Sequence, residues 1–258
     1  MTEIMFETFK TTSLYVAVPA VLGLYTSGRL TSVVIDSGHG SSLSIPVYEG
    51  HAIPRAVTSS EITGHDLTRY LMKLLQDRGH HYVTNAEYEL VRDIKEKCCY
   101  SALDFEKELQ STDPNPAHDT TYELPDGQVV DIGKACFECP EGLFKPELLQ
   151  MTYDHGIHES CCSSIKKCDR DIHTALSRNM VLSGGNTLFP GIVERFTKEV
   201  TAAAPPTWMI KVTALPQRDH SAWMGGSMLA SLPTFEKMAI TKAEYEEFGP
   251  PIVIRKCL

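Results

Sequence analysis

Asp36-Ser37-Gly38-His39-Gly40 lies between two runs of strand-forming residues, Thr31-Ser32-Val33-Val34-Ile35 before it and Ser42 to Tyr48 after it. The first run ends in three consecutive branched apolar residues, as a buried strand does. The second sets Leu43, Ile45 and Val47 inward in alternation, the pattern of a half-exposed strand. Two glycines in the connecting turn let backbone N–H groups point outward together, which would make a nest for an anion such as phosphate. An aspartate at the strand end can hold a metal-bound water. Taken alone, the stretch is more simply a glycine-rich hairpin with no further role.

A second segment changes that balance. Met180-Val181-Leu182-Ser183-Gly184-Gly185-Asn186-Thr187-Leu188-Phe189-Pro190-Gly191 reads as a strand, a glycine turn and the start of a helix. Together the two segments resemble the second phosphate loop and the adenosine loop of the actin family. The likeness runs from Met5-Phe6-Glu7-Thr8-Phe9 to Arg255-Lys256-Cys257. It passes through Ile94-Lys95-Glu96-Lys97, Tyr122-Glu123-Leu124-Pro125-Asp126-Gly127-Gln128 and Trp223-Met224-Gly225-Gly226-Ser227. Several long motifs spread along a chain are far more specific than one glycine-rich loop.

The resemblance implies an α/β class with an actin-like ATPase fold, a ribonuclease H-like lobe carrying a helical insertion. It also implies an incomplete one. The family's first phosphate loop, and the small subdomain that reaches into a neighbouring protomer, have no counterpart here, so the chain resembles the C-terminal two thirds of the family with the N-terminal part absent. Residues 27–62 and 153–220 would form the α/β core of the second lobe, and 63–152 its inserted helical subdomain. Residues 1–26 and 221–258 would be remnants of the first, small lobe.

Local patterning gives the elements. Met1 to Phe9 reads as the end of a helix, Leu14 to Ala17 as a strand, and Pro19 to Thr26 as a helix opened by proline. Thr63-Gly64-His65-Asp66 can cap a helix with Leu67, Tyr70, Leu71, Leu74 and Leu75 on one stripe, stopped by Gly79. Asn85 is the expected cap of a helix bearing Leu90, Val91, Ile94 and Cys98. Gln110 to Thr121 is polar and proline-bearing, a surface loop. Ile157, Cys161, Ile165 and Cys168 mark one helix, and Ile192, Val193, Phe196 and Val200 another. Trp208 to Val212 reads as a strand and Ser221 to Leu232 as a small-residue helix. Strands alternating with helices indicate an α/β layered domain.

Composition narrows the function. A net charge of −9 argues against docking on nucleic-acid phosphates or anionic lipid. The apolar run Leu14 to Tyr25 is too short to span a bilayer and contains Pro19. No targeting segment is visible, so the expected location is the cytoplasm and its cytoskeleton. Of eight cysteines, Cys136 and Cys139 form a lone CxxC without a second pair at zinc-finger spacing, and a reduced, structural role is expected. His155, His158 and Glu159 lack the second histidine that a zinc-protease helix needs.

In the family, ATP and a divalent cation are clasped by a phosphate loop from each lobe, and an aspartate, a glutamine and a histidine order the attacking water. Asp36 matches the aspartate and could hold a metal through water. Pro19 stands at the glutamine position and Leu43 at the histidine position, and neither side chain can orient water. His39 replaces a second loop aspartate. The cofactor-binding positions carried over are Asp36, Gly38, Gly40, Gly64, Lys95, Glu96, Gly184, Gly185, Asn186 and Leu188. Phe189 replaces a tyrosine, and Asp219 replaces a lysine beside the adenine. For Lys95 and Glu96 the plainer reading is a solvated ion pair on a helix face.

The function expected is therefore an actin-like cytoskeletal or structural protein acting by protein contacts, non-polymerising and catalytically inactive, with germ cells as the setting the resemblance offers. No tightly bound cofactor is expected; ATP with Mg is the ligand the resemblance offers. Partners would be actin, actin-binding proteins or a chaperone. The candidate surfaces are a cleft lined by Tyr25, Met224, Met228 and Leu232 and the loop Phe137 to Leu149, although Met224, Met228 and Leu232 at helical spacing also suit a core. The alternatives are a weak ATP-binding module or slow ATPase, and a decayed gene copy.

Overall fold

The computed structural model describes residues 1–111, 120–151 and 154–257. The chain divides into two units, residues 1–29 with 220–258, and residues 30–219. The loop expected over Gln110–Thr121 lies, from 112 to 119, outside the described residues.

The first unit opens with a wide helical turn over Ile4–Thr8 and a short strand, β1 (Ser13–Leu14). That strand is shorter than the Leu14–Ala17 expected, because only Ser13 and Leu14 find a ladder partner. Pro19 then starts α1 (Pro19–Thr26) at the first helical position, where a missing N–H costs nothing.

The second unit is built on a mixed sheet. Its β2 (Ser32–Ser37) runs antiparallel to β3 (Ser42–Tyr48), and β4 (His51–Ala52) and β5 (Thr58–Ser60) both pair with β3. Contrary to the half-exposed pattern expected, β3 is covered on both faces: Ser42, Ser44, Ile45, Pro46 and Val47 are buried and Leu43 is half-buried. The reason is a helix that packs on the serine side, where Ser164 Oγ donates to the carbonyls of Ser44 (3.3 Å) and Ala56 (2.8 Å).

Next comes the helical segment. Thr63 caps α2 (Gly64–Gln76) in a reciprocal capping box with Asp66, and Leu67, Leu71 and Leu75 on its inner stripe are fully buried. The chain leaves the helix through Gly79, whose φ of +92° suits glycine. Helix α3 (Asn85–Cys98) is capped by Thr84, with Glu87 closing the box, not by Asn85 as expected. Asn85 is the first helical residue because the Thr84 hydroxyl already holds the amide of Glu87. Helix α4 (Phe105–Gln110) follows, then a hairpin of β6 (Thr121–Glu123) and β7 (Val129–Asp131) turning through Gly127 at φ +83°. Helix α5 (Ala135–Glu141) carries Cys136 and Cys139, both buried free thiols.

Phe137 to Leu149 is not the surface loop expected. Phe137, Cys139, Leu143 and Phe144 are buried in the main core, because the segment is α5 and a tight continuation packed under α2.

Helix α6 (Ile157–Lys166) and α7 (His173–Ser177) lead back to the sheet. Cys168 falls beyond the end of α6 but stays buried. Strand β8 (Met180–Ser183) lies parallel to β2, α8 (Ile192–Ala203) returns over the sheet, and β9 (Val212–Ala214) lies parallel to β8. Strand β9 therefore begins where Trp208–Val212 was expected to end. Only from Val212 does the chain pair in the ladder, and Met209 is exposed.

The first unit resumes with α9 (Ser221–Ala230), α10 (Phe235–Met238), β10 (Ile240–Thr241), α11 (Lys242–Phe248) and α12 (Ile252–Cys257). Within this unit α1 and α9 cross closely at Gly225, where any Cβ would strike the Leu22 carbonyl. Strand β10 pairs with β1, and Phe6 stacks on Tyr245 at 4.6 Å. Met228 and Leu232, for which burial was one reading, are half exposed, and Trp223 is 77% exposed.

Candidate functional site

The register of the sheet brings the two glycine loops together. Asp36 pairs with Ser183 across the parallel β2–β8 ladder, so the chain leaves both strands at the same edge. Gly184 there has φ +87° and ψ 158°, a conformation open essentially to glycine alone. A Cβ on it would collide with the Ser37 carbonyl and lie 2.8 Å from Asp36 Oδ1. The second loop thus backs directly onto the first. Asn186 clamps the pair: its Nδ2 donates to Ser37 Oγ (3.1 Å) and to the Gly38 carbonyl (2.9 Å). Arg218 braces the second loop from behind, donating through Nε to Thr187 Oγ1 (3.0 Å) and through Nη1 to the Leu215 carbonyl (2.9 Å).

The start of α2 completes the junction. The amides of Gly64 and His65 donate to the carbonyls of Gly38 (2.9 Å) and His39 (3.0 Å). Gly64 tolerates no side chain, because a Cβ would lie 2.7 Å from Asn186 Oδ1 and 3.1 Å from His39 Cα. Beside this junction lies a cavity of about 220 Å³. Gly64, Lys95, Glu96, Gly185, Asn186 and Leu188 line it, together with the three substituted positions His39, Phe189 and Asp219. Asp36, Gly38, Gly40 and Gly184 are not among its lining residues; they form the loop junction next to it.

Two expectations about these residues change. The first concerns Gly38 and Gly40. Neither has a positive φ, and the Gly38 amide donates to the Ser41 carbonyl at 2.8 Å inside its own turn. The outward-pointing nest read from this turn therefore lacks its Gly38 donor. The Gly184 amide is likewise engaged, with the Arg218 carbonyl at 3.1 Å.

The second concerns Lys95 and Glu96, which are no solvated pair. Lys95 is 3% exposed, and its ammonium donates to the Gly64 carbonyl (2.9 Å) and Thr68 Oγ1 (3.0 Å). Burial pulls its pKa below the ordinary lysine value. Glu96, next in the helix, is exposed at the cavity's edge and meets Arg92 Nε at 3.6 Å. Lys95 thus ties α3 to the first turn of α2.

Asp36 is half-buried, and burial pushes its carboxyl above the usual carboxylate range, opposed by a hydrogen bond with Ser183. Directly across the antiparallel ladder from Asp36 stands Leu43. Among the described residues, no three His, Cys, Asp or Glu side chains converge as a metal-ligating group. No described helix is long and apolar enough to cross a membrane.

A family model described as Actin matches residues 1–258, the entire chain. The chain belongs to the actin family. In this member of the family, two residues that bear on the site escaped the sequence reading: Thr68, which helps hold Lys95, and Arg218, which holds the Gly185–Leu188 turn. A threonine one helical turn into a helix carries no sequence signal of its own. Arg218 looks like any surface arginine until the loop it supports is placed.

Proposed function

We propose that this actin-family chain does not hydrolyse ATP and works instead through contacts with other proteins. The observation that carries the reading is Leu43 across the ladder from Asp36. Hydrolysis of a phosphoanhydride depends on positioning the attacking water. An aliphatic side chain can neither accept nor donate the hydrogen bond that does so. Pro19, where the family's glutamine is expected, removes another such group.

The phosphate side supports the same reading. The Gly38 and Gly184 amides are committed to protein carbonyls, and the Lys95 ammonium already serves two oxygens. Asp219 in the cavity wall is an acid where the family's lysine is expected. These groups do not suit a polyphosphate with its cation. Contacts with actin, actin-binding proteins or a chaperone, in a cytoplasmic and cytoskeletal setting such as that of germ cells, belong to the proposal. The exposed Trp223, Met228 and Leu232 of the first unit support it as a contact surface. Failure to polymerise is part of the same reading and is checked by sedimentation in polymerising salt, where the chain is expected to stay in the supernatant.

A second reading, a weak nucleoside pocket, is favoured by one observation: six of the carried-over positions line a single cavity. Titration calorimetry separates the two and tests the first. Mg-ATP is expected to bind weakly or undetectably, and adenosine no more weakly than Mg-ATP. Asp219→Lys swings the wall by two charges, on the order of 1–2 kcal/mol after screening, and should tighten Mg-ATP about tenfold. Micromolar or tighter binding of Mg-ATP by the unmodified chain would contradict the proposal.

A further inference from the structure

A groove of about 820 Å³ runs between α2 and the start of α3. Arg69 and Lys73 line it one helical turn apart on the same face of α2, and both are exposed. Among the described residues neither side chain makes an ion pair or hydrogen bond. One carboxylate lines the groove, Glu89, and Arg92 Nη1 already neutralises it at 2.9 Å. Nearby Glu87 is spent on the amides of Val83 and Thr84, each at 2.7 Å. A chain of net charge −9 thus carries here a groove whose free charges are positive.

One end of the groove is an ordered stack. His65 Nδ1 and the Tyr88 hydroxyl share a hydrogen bond at 2.7 Å, and the His39 ring meets His65 edge-on at 5.6 Å. The apolar part of the lining is Met72 on α2 with Tyr82 and Val83 just ahead of α3, and Val83 is 86% exposed.

Length and spacing point to the occupant. From His65 to Gln76 the groove follows α2 for about 16 Å at about 1.5 Å per residue, the reach of about five extended residues at about 3.3 Å each. Arg69 and Lys73 are separated by a rise of about 6 Å. In an extended chain, side chains two residues apart share a side and are about 6.6 Å apart. Carboxylates at alternate positions would therefore meet both cations in register, the guanidinium with two parallel hydrogen bonds. We propose that this groove docks a short extended segment of a partner protein with acidic residues at alternate positions, followed by an apolar residue against Val83 and Tyr82. The proposal rests on the reading of the chain as one that acts through protein contacts, and it gives the chemistry of one such contact.

The test is fluorescence anisotropy of the full chain with a labelled decapeptide of alternating aspartates ending in phenylalanine. Its counterparts are the same peptide with asparagines, and one with the aspartates grouped together. The alternating aspartate peptide should bind tightest. Arg69→Glu with Lys73→Glu should weaken it by about tenfold or more, since each interface charge pair of this kind contributes at that level. Both side chains are exposed, so an unchanged melting curve is expected for this variant. Lys166→Glu with Arg170→Glu makes the same change of net charge elsewhere and should leave binding within about twofold, because distant exposed charges are screened.

Equal binding of the aspartate and asparagine peptides would overturn the proposal. So would loss of binding in the Lys166/Arg170 variant as large as in the Arg69/Lys73 variant, or retention of anionic phospholipid vesicles as strong as that of the peptide. A failed titration would leave standing the reading of the chain as one that does not hydrolyse ATP, so the two readings fail separately.

Discussion

Glu141→Ala is expected to destabilise the second unit by about 3–5 kcal/mol, the range seen when one partner of a buried ion pair is removed. Glu141 is 1% exposed and Arg195 is 4% exposed. The two meet through parallel hydrogen bonds, Nη1 to Oε2 at 2.7 Å and Nη2 to Oε1 at 2.8 Å. Arg195 also donates to the Ala102 carbonyl (2.8 Å) and to Glu199 (2.8 Å), and lies over the Phe144 ring at 4.8 Å. Deleting the carboxylate leaves a guanidinium buried with its main counter-charge gone. For a chain of this size the melting temperature should fall by roughly 10 °C or more. The double variant Glu141→Leu with Arg195→Met should recover part of that loss, because a well-packed apolar pair needs no compensation. The pair joins α5 to α8, and α8 begins just after the Gly185–Leu188 turn, so the same loss should loosen the cavity wall. Equilibrium denaturation of the single and double variants reads both effects; a loss below about 1 kcal/mol for Glu141→Ala, the level of an exposed pair, would contradict this account.

Gly184→Ala should be comparably damaging, on the order of 2–6 kcal/mol. Overpacking costs about 1–3 kcal/mol, and a backbone conformation reserved for glycine adds about 1–3 kcal/mol. The new methyl would press on the Ser37 carbonyl and on Asp36 Oδ1 at 2.8 Å, so one loop must retreat from the other. By contrast Gly185→Ala, at a position where a Cβ meets nothing within 4 Å, should cost far less. Denaturation midpoints of the two variants compare them directly. Equal losses at both positions would show that the tight junction of the two loops is not what holds the site together.

What the sequence could show, and what it could not, follows from how local each interaction is. The cap of α2 was legible because Thr63 and Asp66 bond each other within one turn, and its stop was legible because Gly79 alone suits φ +92°. The β2–turn–β3 hairpin and the strand–turn–helix of β8 and α8 were legible for the same reason. Lys95 was not. Its partners, Gly64 and Thr68, lie 31 and 27 residues away in sequence, and only the packing of α3 on α2 brings them into reach. On a helix surface the adjacent acid looked like the natural partner. The covering of β3 was hidden similarly, since Ser42 and Ser44 are polar enough to read as solvent-facing. Ser44 is instead buried under α6, with its carbonyl accepting from Ser164. Phe137 to Leu149 was misread as surface although its apolar residues were plain to see, because whether they point in or out depends on the position of α2. At the glycine loops the sequence showed which residues assemble, but not that the amides of Gly38 and Gly184 are already taken by the carbonyls of Ser41 and Arg218.

The central claim is that the water-ordering apparatus of the family's ATPase site is not present in this chain, and phosphate release tests it most directly. Purified chain is incubated with millimolar Mg-ATP, and inorganic phosphate is followed over hours beside a buffer blank and an Asp36→Ala variant. The account predicts that the chain and the variant both release phosphate at the rate of the blank, because Leu43 stands opposite Asp36 where a polar group would be needed. Release that rises in proportion to the concentration of the unmodified chain and disappears in Asp36→Ala would contradict it.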